Sequence, residues 1–160
     1  MKPIVLPSFL ETNDFRYVRE VVEQEMFART PEHFDPICGR WYALGKSTLR
    51  QIHDDLIPVV SRLLGFPVKT TYSLIVMYGR HGVLPPHVDR EPCQYTVDLC
   101  VSQNDHWPLY IDDREFLLGE NEAVLYTGTT SNHYRHPLIS GYCNMALFHF
   151  APLDYEGPLD

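Results

Sequence analysis

The stretch of sequence that decides the fold is VKTTYSLIVMYGRHGVLPPHVDREPCQYTVDLCVS, residues 68–102. Two runs rich in β-branched and aromatic residues, 68–78 and 94–102, lie on either side of a segment that contains two glycines and three prolines. β-Branched and aromatic residues are typical of strands, whereas glycine and proline interrupt strands. The stretch therefore predicts two strands joined by an irregular connection.

Four more runs of the same kind follow toward the C-terminus, separated by glycine, proline, asparagine and aspartate. They are WPLYI (107–111), EAVLYTG (122–128), NHYRH (132–136) and CNMALFHF (143–150). Each run has the length of one strand in a compact sheet. We therefore expect six or more short strands in the C-terminal part of the chain.

The N-terminal part of the chain predicts helices. A first helix is indicated by apolar residues that recur on one face of a 3.6-residue period: Phe15, Val18, Val22 and Met26. A second helix is expected from Ser47, as its N-cap, to Gly65, as its C-terminal stop, and Pro58 should kink or split it. Between the helices, TPEHFDPICGRW (30–41) is rich in turn residues and is expected to be a loop.

Helices followed by a run of strands predict an α+β fold, with the two N-terminal helices packed on the sheet. The strands are expected to close into a sandwich, a barrel or a jelly roll. With 160 residues, the chain has the length of one domain and can bury a core of its own. We expect a single domain over residues 1–160, with a helical N-terminal part at 1–66 and a strand core at 67–152.

Composition and charge exclude several classes of partner. The chain has 13 Lys and Arg against 21 Asp and Glu, a formal net charge of −8, and its cations are scattered. We therefore expect no nucleic-acid partner. The N-terminal stretch MKPIVLPSFLETND is too short for a signal sequence or a membrane span, which predicts a cytoplasmic protein without a membrane partner. The four cysteines form no C-x-x-C motif and are interpreted as reduced and mostly buried.

Histidines carry the strongest functional signal. In PPHVD, one residue separates His87 from Asp89, so an extended strand directs both side chains to the same face. His133 lies on a later predicted strand that can return beside the first. Two imidazoles and one carboxylate form the facial triad that suits nonheme Fe(II). His136 competes with His133, but its odd offset points it to the opposite face, and we favour His133.

The chain also resembles a known family in four segments, which match in order and spacing. They are YGRHGVLPPHVDREPCQYTVDLCVS, WPLYI, GENEAVLYTGTTSNHYRHPL and MALFHFAP, within residues 68–152. The family is the 2-oxoglutarate/Fe(II)-dependent dioxygenase superfamily, and the similar branch is the prolyl-4-hydroxylase-like one. The resemblance implies a double-stranded β-helix (jelly roll), with His87, Asp89 and His133 as iron ligands. It also implies Fe(II) as the cofactor and 2-oxoglutarate and O₂ as co-substrates.

One feature departs from the family pattern. Such enzymes usually bind the distal carboxylate of 2-oxoglutarate with a Lys or Arg ten or more residues after the distal histidine, and this chain has neither after Arg135. Arg135 is our first candidate for the anchor, because it shares a face with His133 and a guanidinium can bind a carboxylate through two hydrogen bonds. Arg80 and Lys69 are alternatives, and Tyr78 or His149 can add a neutral hydrogen bond.

The resemblance implies hydroxylation or desaturation of an unactivated C–H bond. We expect the substrate to be a small molecule, an amino acid or a carrier-bound metabolite, because the chain has few insertions from which to build a large docking surface. Two other functions stay open. One is a cupin-like metal oxygenase or isomerase that works without 2-oxoglutarate, which the missing downstream cation supports. The other is a noncatalytic jelly-roll binding module, in which the histidines and the aspartate are structural.

Overall fold

The computed structural model describes residues 1–45 and 47–160, with residue 31 described by its backbone alone. The helices are α1 (Thr12–Ala28), α2 (Arg50–Asp55) and α3 (Ile57–Leu64), and a 3₁₀ turn spans Pro31–His33. The strands are β1 (Ile4–Leu6), β2 (Phe34–Asp35), β3 (Arg40–Leu44), β4 (Val68–Tyr78), β5 (Leu84–His87), β6 (Tyr95–Gln103), β7 (Leu109–Ile111), β8 (Arg114–Phe116), β9 (Ala123–Tyr126), β10 (His133–Arg135) and β11 (Cys143–Pro152).

The strands form two sheets. The larger sheet has seven strands in the order β1-β9-β6-β11-β4-β3-β2, and the smaller has four in the order β5-β10-β7-β8. All of these strand pairs are antiparallel. Two antiparallel sheets accompanied by helices are consistent with a jelly roll.

Alternation of side chains along β4 gives the larger sheet two apolar faces. Ile75 lies in a hydrophobic cluster that contains residues of the helices, such as Val22 of α1. The next residue, Val76, lies in a second cluster that contains Ile111 of the smaller sheet. The helices therefore cover one face of the larger sheet, and the smaller sheet faces the other.

The second predicted helix is split, as Pro58 indicated. Leu56 separates α2 from α3, and proline is tolerated in the first turn of α3 because the N–H groups there need no partner within the helix. Gly65 ends α3 with a φ of 82°, in the left-handed region that favours glycine. The predicted N-cap at Ser47 is wrong, because the residue that caps α2 is Leu49.

The predicted loop at 30–41 is also wrong. β2 and β3 form a hairpin there, and β3 pairs with β4 to extend the larger sheet. The turn residues that indicated a loop make the tight connection of this hairpin, where Gly39 has a φ of 60°. Since β1 also pairs with β9, the N-terminal part at 1–66 contributes three strands as well as the helices.

The sequence patterns did not predict two edge strands of the smaller sheet. β5 contains Pro85 and Pro86, and proline is tolerated there because an edge strand has one side without a neighbour. β8 is only three residues long and lies at the other edge. Among the described residues, no helix has both the length and the apolar character needed to cross a membrane.

Candidate metal centre

The strand register of the smaller sheet brings His87 and His133 together. β5 ends at His87, β10 begins at His133, and the two residues are direct partners in the antiparallel pair. Their ring centroids are 4.2 Å apart. Asp89 follows two residues after His87, and its backbone N–H donates to the carbonyl of Gly128 at 2.9 Å. Two imidazoles and one carboxylate thus converge at one end of β5.

The donor atoms of these three residues are spaced for a single metal ion. Oδ1 of Asp89 lies 3.7 Å from Nε2 of His87 and 3.5 Å from Nε2 of His133. Two metal–ligand bonds of about 2.1 Å span at most about 4.2 Å, so both separations can be bridged by one ion. Two nitrogen donors and one oxygen donor on one side of an ion are the set that suits nonheme Fe(II) and leaves positions open.

The backbone fixes the orientation of both imidazoles. Nδ1 of His87 lies 2.8 Å from the carbonyl oxygen of Pro85, and Nδ1 of His133 lies 3.0 Å from that of Ser131. A carbonyl oxygen only accepts, so each Nδ1 carries the proton and donates it. In the neutral form of each ring, Nε2 therefore holds the lone pair, on the side of Asp89, which is the arrangement typical of metal-binding histidines.

Charge interactions within the triad set its protonation. Burial acts to raise the pKa of Asp89, but contact with His133 and the charge of His133 outweigh it and hold the pKa below its ordinary value. Burial acts to lower the pKa of His133, yet Asp89 raises it overall. Burial, followed by the charge of His133, lowers the pKa of His87. A metal ion therefore finds an ionised carboxylate and competes with protons more strongly at His133 than at His87.

A second group of possible ligands shares Asp89. Donor atoms of Asp89, Cys93 and His149 lie within 4.8 Å of one another. Burial raises the pKa of the Cys93 thiol to about 11, so the thiolate form that binds metals is scarce at neutral pH. The group of His87, Asp89 and His133 is the better metal site.

The triad lies on the wall of a cavity of about 590 Å³ between the two sheets. This volume is within the range of about 300–1,000 Å³ that is usual for small-molecule sites. Besides the triad, the lining includes three charged groups at depth, Arg40, Asp98 and Arg135, together with Tyr78 and His149. The cavity thus offers both cations and a carboxyl next to the metal site.

Arg135 is a buried cation that has no ion-pair partner among the described carboxylates. The residue is 5% exposed, its Nη1 donates to the carbonyl of Trp107, and its guanidinium lies 4.8 Å from the centroid of the Trp107 ring. Among the described residues, no carboxylate forms an ion pair with it. A buried charge is costly unless it is paired, so the surroundings of Arg135 favour an anionic ligand.

Arg40 is a cavity residue that the sequence patterns did not identify. It lies on β3, in the segment predicted as a loop, and its Nη1 donates to the hydroxyl of Tyr78 at 2.6 Å. Its Nε lies 3.3 Å from Oδ2 of Asp35, which partly neutralises its charge. Burial raises the pKa of Tyr78 to about 12, so its hydroxyl is neutral. Arg40 and Tyr78 therefore form a second polar group on the cavity wall.

The other predicted residues lie elsewhere. Arg80 is exposed and does not line the cavity, and Nζ of Lys69 donates to the carbonyl of Tyr155, away from the cavity. The structure thus offers neither as an anchor for a ligand at the metal site. His136 is exposed, and its ring packs against Tyr110 and Tyr134 rather than near the triad.

Asp98 is a buried carboxyl whose polar atoms are poorly satisfied. The residue is 5% exposed, its Oδ2 accepts a long hydrogen bond of 3.4 Å from Tyr126, and its Oδ1 has no hydrogen-bond partner in the part of the chain that the structure describes. Burial raises its pKa from 3.8 to about 6. Near neutral pH, the folded protein therefore holds this group ionised at a cost in free energy.

The Asp98→Asn substitution should stabilise the metal-free protein above pH 6 and have little effect at pH 3.5. A pKa that rises from 3.8 to about 6 on folding corresponds to a destabilisation of roughly 3 kcal/mol. The sign follows from linkage: the cost is absent when both states are protonated, grows as the unfolded chain ionises, and is complete above the folded-state pKa. Denaturant unfolding of Asp98→Asn and wild type at pH 8 and at pH 3.5, in the presence of a chelator, measures the difference in their free energies of unfolding. Asp154→Asn, at an exposed position, is the control, and equal stability of Asp98→Asn and wild type at pH 8 would contradict the prediction.

No protein-family model matches the chain, and no curated protein matches it. Several solved structures do match the chain. An oxidoreductase of the 2OG-Fe(II) oxygenase family from Burkholderia pseudomallei is 11% identical, with a TM-score of 0.75, over 98% of this chain and 86% of that one. HygX from Streptomyces hygroscopicus, solved with nickel, 2-oxoglutarate and hygromycin B, is 12% identical, with a TM-score of 0.71, over 96% and 84%.

A collagen prolyl hydroxylase from the virus Paramecium Bursaria Chlorella virus-1, in complex with 2-oxoglutarate, is also similar. It is 8% identical, with a TM-score of 0.72, over 96% of this chain and 97% of that one. This chain therefore has the fold of the 2-oxoglutarate/Fe(II) oxygenases. The resemblance that the sequence segments indicated is confirmed at the level of the fold.

Proposed function

We propose that this protein is a 2-oxoglutarate- and Fe(II)-dependent dioxygenase on a double-stranded β-helix, similar to the prolyl-4-hydroxylase-like branch. The observation that carries the proposal is the convergence of His87, Asp89 and His133 on the wall of a cavity. When bound, Fe(II) and 2-oxoglutarate supply the oxidising chemistry, in which O₂ converts the co-substrate to succinate and CO₂ while a C–H bond of the substrate is hydroxylated or desaturated.

The triad residues hold the metal from one side. The carboxylate of Asp89 contributes negative charge, and the two imidazoles contribute neutral donors whose Nδ1 protons are held by backbone carbonyls. Because the three donors belong to residues on or next to two paired strands, the sheet itself keeps their spacing. The cavity side of the site stays free for the co-substrate and O₂.

Arg135, Tyr78 and Arg40 are proposed to bind the distal carboxylate of 2-oxoglutarate. Arg135 supplies a buried charge that forms no ion pair with a described carboxylate, and Tyr78 supplies a neutral hydroxyl that the pKa of about 12 keeps protonated. Arg40 orients that hydroxyl through its hydrogen bond of 2.6 Å. The cation that the family usually places on the last strand is thus replaced by cations from β10 and β3.

The rest of the cavity is proposed to bind a small organic substrate. Its walls beyond the polar groups carry apolar and aromatic side chains: Tyr42, Leu44, Tyr72, Leu74 and Leu147. Apolar walls of this kind help to keep water from the reacting bond and to orient the substrate. The small-molecule ligand of HygX, hygromycin B, supports this class of substrate.

Anaerobic addition of Fe(II) and 2-oxoglutarate should produce a weak visible charge-transfer band, and Fe(II) alone should produce none. The band requires both components on one site, so it tests the metal and the co-substrate together. The matched control is Asp89→Ala, which should give no band at the same concentrations because one of three ligands is lost.

Two other outcomes of this experiment would each contradict the proposal and indicate a different function. Tight Fe(II) binding without any band on addition of 2-oxoglutarate would indicate a metal oxygenase or isomerase that does not use this co-substrate. Absence of Fe(II) binding in the wild type would indicate a noncatalytic binding module.

A further inference from the structure

The two oxygens of Asp89 have different partners. Oδ1 faces the Nε2 atoms of His87 and His133, at 3.7 and 3.5 Å. Oδ2 accepts a hydrogen bond of 2.9 Å from the hydroxyl of Thr96 on β6. The carboxylate is therefore tethered through the oxygen that points away from the imidazoles, and its rotation would break this bond.

The direction of the next hydrogen bond follows from the first. An ionised carboxylate only accepts, so the single hydroxyl proton of Thr96 is donated to Asp89. The oxygen Oγ1 of Thr96 lies 3.2 Å from Nδ1 of His149 and must accept there. His149 therefore carries its proton on Nδ1, and burial, which lowers its pKa to about 4, keeps the ring neutral.

The sheet holds this chain of hydrogen bonds in register. Thr96 and His149 are direct partners in the pair of β6 with β11, and both are buried. His149 is further fixed by its carbonyl, which lies 3.0 Å from Nε2 of His53. The relay from His149 through Thr96 to Asp89 thus connects the larger sheet to a residue beside the smaller one.

Gly128 makes room for the relay. A Cβ atom at this position would lie 2.3 Å from Oδ2 of Asp89 and 2.8 Å from Oγ1 of Thr96, both closer than real contacts allow. The carbonyl of Gly128 also accepts from the backbone N–H of Asp89 at 2.9 Å. Glycine here lets the backbone approach the carboxylate that it helps to orient.

We propose that Thr96 is a positioning residue for the metal centre, which aims Oδ1 of Asp89 at the metal, and that His149 fixes the hydroxyl of Thr96 in the donating direction. This inference rests on the proposed function, since it assigns Asp89 as a ligand. Partners that orient a ligand in this way typically contribute about 10- to 100-fold to metal affinity. A hydroxyl that is merely satisfied within a sheet contributes nothing to metal affinity.

The test compares Thr96→Val with Thr96→Ser in a titration with Co(II), followed by its visible absorption. Valine keeps the shape of threonine without the hydroxyl, and serine keeps the hydroxyl. Thr96→Val should weaken Co(II) binding by about 10- to 100-fold, and Thr96→Ser should restore it to within a few-fold of the wild type. The melting temperature of the metal-free protein reports any purely structural effect of a substitution. A purely structural role of Thr96 would lower this melting temperature without lowering the Co(II) affinity.

A second pair of variants, at His149, tests the relay if Thr96→Val does not fold. His149→Leu removes the donor to Thr96 and should weaken Co(II) binding, whereas His149→Asn retains an N–H group and should weaken it less. Equal Co(II) affinity of wild type and Thr96→Val, or of both His149 variants and wild type, would overturn the relay.

The outcome for His87→Ala separates this inference from the proposed function. If the wild type binds Co(II), His87→Ala does not, and Thr96→Val binds like the wild type, only the relay is wrong. If the wild type itself binds no Co(II), the metal centre and the relay are both wrong.

Discussion

His133→Ala should abolish Fe(II) binding, whereas His136→Ala should leave it unchanged. His133 is 2% exposed and directs Nε2 toward Asp89, so its loss removes one of three donors and leaves the carboxylate with one imidazole. His136 is three residues away in sequence, but it is exposed and packs against Tyr110. The expected loss for His133→Ala exceeds the roughly 10- to 100-fold that follows removal of an orienting partner.

Anaerobic equilibrium dialysis with Fe(II) measures the difference between these two variants. They remove the same side chain from neighbouring positions of one strand region, so His136→Ala is the matched control for general effects on β10. Circular dichroism of the metal-free proteins checks that both are folded. Retained iron in His133→Ala together with lost iron in His136→Ala would transfer the ligand role to His136.

Three long strands of the larger sheet, β4, β6 and β11, were predictable from local patterns. β4 spans the residues 68–78 that the sequence indicated, and β6 and β11 lie within one or two residues of the indicated bounds. Spacing alone placed His87 and Asp89 on one side of an extended segment. It did not place His133 opposite His87, because strand register depends on pairing between residues far apart in sequence.

The contribution of β3 to the cavity was missed for a physical reason. Pro36 and Gly39 are turn residues, and within residues 30–41 they concealed a hairpin whose first strand has only two residues and whose second strand begins at Arg40. Arg40 therefore looked like a loop residue, although it pairs with Tyr78 across the larger sheet. Its hydrogen bond to Tyr78 spans 38 residues of sequence and has no local signal.

The sequence does carry a signal for the polar cavity, at Asp98. Asp98 interrupts a run of β-branched and apolar residues, QYTVDLCVS, and ionisable residues are seldom fully buried. A carboxyl in the middle of a central strand indicates a polar cavity beneath that strand. The structure places Asp98 in the same cavity as the triad and Arg135.

Arg135→Met should raise the dissociation constant for 2-oxoglutarate by roughly 10- to 100-fold. Arg135 is buried beside the metal site and forms no ion pair with a carboxylate among the described residues, so its guanidinium is available to the distal carboxylate. A hydrogen bond to a charged group contributes about 1.5–3 kcal/mol, and each 1.4 kcal/mol corresponds to about a tenfold change in affinity. Methionine fills a similar space without charge.

Arg40→Met and Arg80→Met should have smaller effects, in that order. Asp35 already neutralises part of the charge of Arg40, at 3.3 Å. Loss of the Arg40 guanidinium should therefore weaken the binding of 2-oxoglutarate only a few-fold, chiefly because the hydroxyl of Tyr78 is no longer held in place. Arg80 is exposed and outside the cavity, and its removal should change nothing. Arg80→Met is therefore the control for a general loss of positive charge.

Anaerobic titration of 2-oxoglutarate into each Fe(II)-loaded variant, followed by the visible band, gives the three dissociation constants. Fe(II) affinity measured separately shows whether a variant has lost the metal rather than the co-substrate. A larger effect of Arg40→Met than of Arg135→Met would move the main anchor to β3, next to Tyr78. If neither variant weakens binding, neither Arg135 nor Arg40 holds the distal carboxylate, and the buried charge of Arg135 serves a different anion.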